Sequence, residues 1–492
     1  MTEPAKADNA EFARRVSVSL LWVAVGTIVS KLVRVAALFV VLGFITDAEL
    51  GVAQLALTVF VIVRSVTELG LGAALVRTKD ASDEDIAALF WVSVAMSLTF
   101  YAVVFVLSFF IASWYERPIL APLLQVQSLG IVFFALFVVP KSLLTRDLRM
   151  GRVTFAENFA GALSAIVMIV SAVLGLGVWS IILGEVSSRL IEMIIYQVTR
   201  PYFPRFVWAP GRIRSMISFG LYNTGSRFLG RFYTEADYLV IGRMFSDAAI
   251  GLYAFAFRTV DDIVKALAYM ITQVAYPTFA KLQYERVELR GFVFGIARGS
   301  SLLIGIVLAF IFVFMEPLLA SLGYERWIPA VHFVQLFCAI GILRSIIPIL
   351  SALINALGEA RYMFIYASIL SLVLPIAFII GAQFSVEAVA WAWLIAYPPV
   401  TFMLMLRASR LLEVPLSTLF RGIFAGLAFP ILLTGGLWFA RLGLEQAGLG
   451  PGLVTTLGLM ATLGAGAAFT WRFERPFVQR LIAKKPSKKP AT

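Results

Sequence analysis

Long runs of apolar residues, separated by short polar segments, recur along the chain from near its start to residue 471. Most of these runs reach roughly 20 residues, the length that a helix needs to cross about 30 Å of hydrocarbon. The ten-residue segments of alternating polarity that are typical of a membrane β-barrel do not occur. The pattern therefore predicts an all-α protein with many membrane-spanning helices.

The apolar runs predict fourteen spans joined by short connections. The predicted spans are 17–42, 51–75, 86–113, 119–140, 153–174, 178–198, 215–241, 250–279, 291–315, 328–354, 362–381, 386–406, 422–440 and 452–471. The longest connection, 199–214, contains three prolines and is predicted to link two halves of the chain. The polar segment 1–15 precedes a run that is too long for a signal peptide, which predicts a retained first span.

The basic residues are distributed unevenly between the two sides of this predicted topology. Of the 41 Lys and Arg residues, 27 lie in the N-terminal segment, the even-numbered loops or the C-terminal tail, and only 4 lie in the odd-numbered loops. Because basic loops stay in the cytoplasm, this distribution predicts cytoplasmic termini and an even number of spans. The net charge of +12 thus indicates membrane topology, and nucleic acid is not an expected partner.

A short repeat relates two parts of the chain at an offset of 200 residues. The matched pairs are Lys31 with Arg231, Asp47 with Asp247, Ala48 with Ala248, Leu50 with Ile250 and Gly51 with Gly251. The repeat predicts two parallel pseudo-symmetric six-helix lobes, 16–198 and 215–406, around a central cleft. Two further helices in 407–471 and a basic tail, 472–492, follow the lobes. A chance match is the alternative.

Ten basic residues fall within the predicted spans. They are Lys31, Arg34, Arg64, Arg189, Arg227, Arg231, Arg258, Lys265, Arg298 and Arg344. A charge at the bilayer centre costs at least about 2.5 kcal/mol, so these side chains must face protein or water. Arg189 is expected to pair with Glu185 or Glu192 on its own helix. Arg298 is expected to reach an interface, and the role of Arg344 is left open between structure and function.

Seven of these cations are predicted to line the cleft and bind an anionic group. They are Lys31, Arg34, Arg64, Arg227, Arg231, Arg258 and Lys265. Arg227 and Arg231 lie one helical turn apart, so their repulsion requires a compensating charge. Phosphate or pyrophosphate suits such a lining, because Arg binds phosphate oxygens through two parallel hydrogen bonds. The alternative is a network of salt bridges that satisfies itself.

The acids within the spans are predicted to be charge partners of these cations or to bind a coupling proton or Na⁺. They are Glu68, Glu235, Asp237, Asp261 and Asp262. No other cofactor is predicted. The chain has one Cys and one His, which excludes an internal disulfide and a Cys/His metal cluster. No phosphate-binding GxxxxGK[ST] loop occurs, and the sequence offers no set of catalytic residues for an enzyme.

Several segments carry a resemblance to a known family. They are Glu68–Arg77, Asp80–Trp91, Pro140–Leu144, Arg146–Met150, Asp237–Gly242 and Ile250–Ala254. These segments resemble Wzx-type polysaccharide exporters of the MOP superfamily, especially the WzxC-like branch. The resemblance covers roughly the first 290 residues well, and the rest by hydropathy only.

The resemblance implies two six-helix lobes and ion-coupled alternating access. It implies flipping of an undecaprenyl-pyrophosphate-linked oligosaccharide from the cytoplasmic to the periplasmic leaflet of the bacterial inner membrane, with other polysaccharide-assembly membrane proteins as possible partners. Related lipid II flippases are similar in carrying cations at the positions of Lys31, Arg34 and Arg258. A multidrug exporter of the same superfamily, with an acidic cleft, and a membrane enzyme that polymerises or ligates glycans are the alternatives.

Overall fold

The protein is all-helical wherever its structure is described. A computed structural model describes residues 26, 33, 36–67, 71–78, 81–209, 211, 213–469 and 471. All regular secondary structure in these ranges is helix. The prediction of an all-α protein is therefore confirmed for this part of the chain.

The helices of the first part of the chain follow the predicted spans closely. They are α1 (Asp47–Thr67), α2 (Leu71–Arg77), α3 (Asp83–Trp114), α4 (Leu120–Arg146), α5 (Met150–Val173), α6 (Val178–Thr199) and α7 (Arg214–Met244). Residues 36–42 are also helical and form the end of the first predicted span. Most of that span lies outside the described residues.

The helices of the second part follow the predicted spans as well. They are α8 (Asp247–Lys281), α9 (Arg286–Ser321), α10 (Val331–Ala356), α11 (Ala360–Ala382), α12 (Val386–Leu412), α13 (Leu416–Phe424), α14 (Ala428–Gln446) and α15 (Pro451–Phe469). Two short 3₁₀ segments, Glu325–Ala330 and Ala425–Leu427, precede α10 and α14.

Ten helical stretches in the described ranges are long and apolar enough to cross a membrane. The protein is therefore a multi-pass α-helical membrane protein. Three long helices that coincide with predicted spans, α6, α7 and α8, are not among the ten, because charged side chains interrupt their apolar runs. The number of fourteen spans thus stays a prediction. Two of the three helices that contain these charged residues, α7 and α8, hold most of the candidate site residues.

Helix α3 has well-defined ends that fix the chain on either side of it. At its start, Ser82 and Asp85 form a capping box, in which the Ser82 hydroxyl accepts from the Asp85 amide at 3.2 Å and the Asp85 carboxylate accepts from the Ser82 amide at 3.1 Å. At its end, Glu116 adopts a positive φ of 58°, and the Arg117 amide donates to the Ala112 carbonyl at 2.9 Å. This turn closes the helix and orients Arg117.

The chain divides into two compact units. The first comprises the described residues up to Ala254 together with Leu370–Val389, and the second comprises Phe255–Ile369 and the described residues from Ala390 onward. In the first unit, α1 packs against α4, α6 and α7, while α3 packs on α4 and α5 on α6. In the second unit, α9 packs against α10, α13, α14 and α15. These units are drawn differently from the two lobes of the sequence repeat, and the lobes stay a prediction.

The connection between α6 and α7 is packed against other parts of the first unit. The Trp91 indole donates to the Arg205 carbonyl at 3.1 Å, and burial raises the pKa of the Tyr202 hydroxyl to about 12. The Arg200 guanidinium donates to the Asp147 carboxylate, and this hydrogen bond lowers the pKa of Asp147. The proline-rich segment therefore covers the α3 and α4 side of this unit.

Candidate functional site

Part of the predicted cationic lining lies outside the described residues. Lys31, Arg34 and the acid Glu68 fall there. Arg227 lies on α7, but its side chain is not among the described parts of the structure. The roles of these four residues stay predictions.

Two predicted cations have no side-chain partner among the described residues. Arg231 lies near the middle of α7 and is exposed, and Arg258 lies about three turns into α8 and is half-buried. Neither guanidinium forms an ion pair or a hydrogen bond with the described part of the chain. Arg64 differs, because it lies half-buried in the last turn of α1 and has interactions of its own. Arg231 and Arg258 are thus available to a ligand.

A buried carboxylate in the second unit faces two cations. Asp261 of α8 lies 2.5 Å from the Lys265 Nζ through Oδ2 and 2.9 Å from an Arg344 guanidinium nitrogen through Oδ1. The side-chain exposures are 7% for Asp261, 14% for Arg344 and 43% for Lys265. The Arg344 guanidinium carbon also lies 5.1 Å from the ring centroids of Phe257 and Trp393. These three side chains together carry two positive charges and one negative charge.

Close packing between α8 and α10 brings this cluster together. A Cβ placed on Gly341 would lie 3.0 Å from Leu308 and 3.1 Å from Val260, so α10 reaches this distance because position 341 has no side chain. Arg344, one turn further along α10, is thereby held beside Asp261. A cavity with room for a single water is lined by both side chains.

The other predicted acids differ in environment. Asp262 is exposed. Asp237 is fully buried on α7 and accepts a hydrogen bond of 2.7 Å from the Tyr253 hydroxyl. Glu235 is half-buried and accepts one of 3.2 Å from the Thr58 hydroxyl. The structure thus holds Asp237 and Glu235 by hydroxyl groups, and their coupling role stays a prediction.

The two copies of the sequence repeat contact each other in the first unit. A Cβ on Gly51 would overlap the main-chain carbonyl oxygen of Asp247, and a Cβ on Gly251 would overlap that of Asp47. The contact is reciprocal, so the first turns of α1 and α8 approach through their backbones. Only glycine permits this approach at both positions. The repeat therefore marks a packed junction between helix ends.

Arg117 holds this junction from the turn after α3. Its guanidinium donates to the Asp247 carboxylate and to the main-chain carbonyl oxygens of Tyr115, Gly242 and Phe245, the last three at 2.9, 2.6 and 3.0 Å. The Arg117 side chain is only 14% exposed. Arg117 thereby ties α3 to the end of α7 and the start of α8.

Sequence reasoning missed the role of Arg117 and left Arg344 undecided. Arg117 lies 130 residues from Asp247, so no local spacing connects them. The signal that could have drawn attention to the junction was the pair of glycines at equivalent repeat positions. The prediction for Arg189 is confirmed, because it pairs with Glu192 at 3.0 Å. The described residues contain no group of three or more His, Cys, Asp or Glu side chains that could hold a metal ion.

Comparisons with known proteins place these features in context. The family profile described as polysaccharide biosynthesis protein matches residues 40–332. The chain is 23% identical over 410 residues to the teichuronic acid biosynthesis protein TuaB of Bacillus subtilis (strain 168), covering 82% of this chain and 83% of that protein. It is 24% identical to the lipopolysaccharide biosynthesis protein WzxC of Escherichia coli (strain K12), covering 74% of each.

The fold is similar to that of solved transporters. A lipid II flippase, MurJ, in an inward closed conformation matches with a TM-score of 0.74 at 16% identity, covering 93% of this chain and 100% of that one. An inward-facing multidrug resistance MATE family transporter of the MOP superfamily matches with a TM-score of 0.54 at 17% identity, covering 80% and 95%. At these identities the similarity concerns the fold alone.

Proposed function

Because the chain belongs to the polysaccharide biosynthesis protein family, we propose that it is a flippase for a lipid-linked oligosaccharide. The membership confirms the resemblance to Wzx-type exporters. In this proposal the substrate is an oligosaccharide on undecaprenyl pyrophosphate, which moves from the cytoplasmic to the periplasmic leaflet of the bacterial inner membrane. Relatives named for teichuronic acid and lipopolysaccharide biosynthesis support this substrate class.

The observation that carries the proposal is the state of Arg231 and Arg258. Each lies within a long helix that coincides with a predicted span, and neither has an ion pair with the described residues. Retaining an uncompensated cation at membrane depth is costly unless it serves a ligand. A pyrophosphate group provides several oxygens that accept charge-assisted hydrogen bonds from guanidinium groups.

The junction between the repeats supports a mechanism of alternating access. With both termini cytoplasmic, the turns that contain Asp47, Arg117 and Asp247 lie at the periplasmic end of their helices. In this proposal the junction closes that end while the substrate binds from the cytoplasmic side. Opening requires the helix ends to separate, and binding of the substrate or of a coupling proton or Na⁺ at Asp237 or Glu235 provides the free energy.

The test measures flipping of a fluorescent undecaprenyl-pyrophosphate oligosaccharide by the full-length protein in lipid vesicles. The wild-type protein should move the label between leaflets, and Arg258→Glu and Arg231→Glu should each reduce the rate at least tenfold, because the reversed charge repels pyrophosphate. Arg258→Lys should retain part of the rate, since the charge remains but the two-pronged geometry is lost.

The control is Arg361→Glu, which makes the same charge change at an exposed position outside the predicted spans. It should flip at the wild-type rate. Wild-type rates in both reversal variants would refute the assigned binding residues. A wild-type protein that moves cationic dyes but no lipid-linked sugar would refute the flippase proposal and favour the multidrug exporter.

A further inference from the structure

The cluster around Asp261 has an arrangement that suits exchange of one anion for another. Each carboxylate oxygen is taken by a different cation, Oδ2 by Lys265 and Oδ1 by Arg344. Two cations that share one carboxylate keep an excess positive charge, and an anion with more oxygens satisfies them better. Phosphate and pyrophosphate groups are such anions.

Arg344 and Lys265 are held so that another anion can take the place of the Asp261 carboxylate. Arg344 is fixed by contacts that do not involve Asp261, because its guanidinium lies 5.1 Å from the ring centroids of Phe257 and Trp393. The attraction between a guanidinium and a ring face does not depend on the carboxylate, so these contacts favour the same position of Arg344 with a different anion. Lys265 is 43% exposed and so offers a route of access from outside the cluster.

The surroundings give water access to this ion pair. A cavity with room for a single water is lined by Asp261 and Arg344. Asp261, Lys265 and Phe257 follow one another at four-residue spacing on one face of α8. An anion larger than water therefore reaches Arg344 only when the Asp261 side chain turns away from it.

From this geometry we infer that Lys265 and Arg344 form a phosphate subsite that Asp261 occupies as an internal counter-ion when no ligand is bound. The inference rests on the proposed function for its ligand, the pyrophosphate group of a lipid-linked sugar. Asp261 competes with that group, neutralises Arg344 in the empty protein and aids release after translocation. Arg344 thereby becomes a binding residue together with Lys265.

The experiment uses the purified full-length protein and measures the affinity for inorganic pyrophosphate from the ligand-induced shift in the thermal unfolding midpoint. Asp261→Asn keeps the shape of the side chain and removes the competing charge. It should bind pyrophosphate roughly tenfold more tightly than the wild type, the factor that corresponds to one charge-assisted hydrogen bond. Arg344→Gln should bind roughly tenfold more weakly.

A matched control exists in the same unit. Arg441 is 11% exposed, pairs with Glu316 at 2.7 Å and lies 5.8 Å from the ring centroid of Trp438. Glu316→Gln therefore removes a carboxylate from a similar arginine–aromatic pair that lies outside the cluster. It should leave the affinity for pyrophosphate unchanged. An increase equal to that of Asp261→Asn would show a general effect of net charge and overturn the inference.

The outcomes separate a subsite from a purely structural ion pair. If Asp261 only stabilises Arg344, Asp261→Asn lowers the unfolding midpoint and pyrophosphate does not restore it, which overturns the inference. If the wild type binds pyrophosphate, loses it in Arg258→Gln and gains nothing in Asp261→Asn, the inference fails while the proposed function stands. If no variant binds pyrophosphate or undecaprenyl pyrophosphate in lipid nanodiscs, both fail.

The same variants distinguish the source of the phosphate group and the consequence for transport. Tighter binding of undecaprenyl pyrophosphate alone to Asp261→Asn assigns the subsite to the lipid-borne group, and tighter binding of both ligands assigns it to the phosphate chemistry itself. In vesicles, Asp261→Asn should flip the lipid-linked sugar several-fold more slowly, because release of the anion becomes limiting. A rate at or above that of the wild type would contradict the role in release.

Discussion

Two arginine–aspartate pairs, Arg117 with Asp247 and Arg344 with Asp261, have equally buried arginines, each 14% exposed, but different surroundings. The Arg117 guanidinium donates to Asp247 and to three main-chain carbonyl oxygens. The Arg344 guanidinium lies beside the Asp261 carboxylate and the rings of Phe257 and Trp393. Main-chain carbonyl oxygens thus hold the first arginine, whereas side chains surround the second.

The difference determines what each pair can do. Carbonyl oxygens at helix ends move only when the helices move. Arg117 therefore stabilises the conformation in which the ends of α3, α7 and α8 are in contact. Side-chain partners change by rotation alone, so Arg344 can exchange its anion while the helices stay in place. The comparison therefore separates a conformational contact from a ligand-exchange contact, although both pairs have the same chemistry.

The largest effect is expected from Gly51→Ala, which breaks the backbone contact that Arg117 reinforces. The new Cβ overlaps the Asp247 carbonyl oxygen, which cannot move aside like a side chain. The free energy of unfolding in detergent should fall by about 3 kcal/mol, the upper range for overpacking. Gly251→Ala should have a similar effect, because the contact is reciprocal.

The control for this prediction is Gly230→Ala on α7. No heavy atom lies within 4 Å of a Cβ placed there, and alanine is favoured in a helix interior, so stability should be equal or slightly higher. If Gly51→Ala is as stable as Gly230→Ala, the junction is not closed in solution. Arg117 and Asp247 would then not stabilise a contact between helix ends.

A smaller loss is expected from Arg117→Gln. The variant leaves an aspartate and several buried carbonyl oxygens with fewer donors, which should lower the free energy of unfolding by about 2 kcal/mol. Chemical unfolding in detergent measures it. Arg243→Gln is the matched control, because Arg243 pairs with Glu116 at 3.1 Å in a setting where the side chains are 46% and 74% exposed. Exposed pairs contribute at most about 1 kcal/mol. Equal losses in the two variants would mean that the backbone contacts of Arg117 add nothing.

The smallest effect is expected from Lys265→Met in the exchangeable cluster. Lys265 is 43% exposed, and Asp261 retains Arg344, so the free energy of unfolding should fall by less than about 1 kcal/mol. High salt should reduce the difference further, since it screens the exposed member of the pair. A loss as large as that of Arg117→Gln would identify the cluster as a structural clamp and contradict its proposed exchange.

Much of the helix arrangement was predictable from local pattern. The spans 120–146 and 150–173 differ from their predicted bounds by a few residues at each end, because apolar runs end where polar turns begin. The pairing of Arg189 with Glu192 was predictable as well, since three-residue spacing places both on one helical face. Four-residue spacing likewise places Asp261 and Lys265 on one face of α8.

The partners that come from distant segments were not predictable in this way. Arg344 lies on a different helix from Asp261, and its position depends on how closely α10 packs on α8 at Gly341. Asp237 is held by the hydroxyl of Tyr253 on the next helix, a contact that no spacing within α7 indicates. These contacts depend on side-chain packing between helices, and no spacing rule along one helix encodes it.

The sequence by itself determined that the chain is helical, that it enters the membrane many times and that cations interrupt particular spans, because hydropathy and charge act residue by residue. Only the tertiary structure decided which cations are already neutralised and which remain available, because pairing depends on distances between helices. It also revealed that the two repeat copies meet through their glycines. A sequence repeat indicates that two segments have equivalent positions in the fold. Whether the two segments contact each other depends on how the folded chain packs.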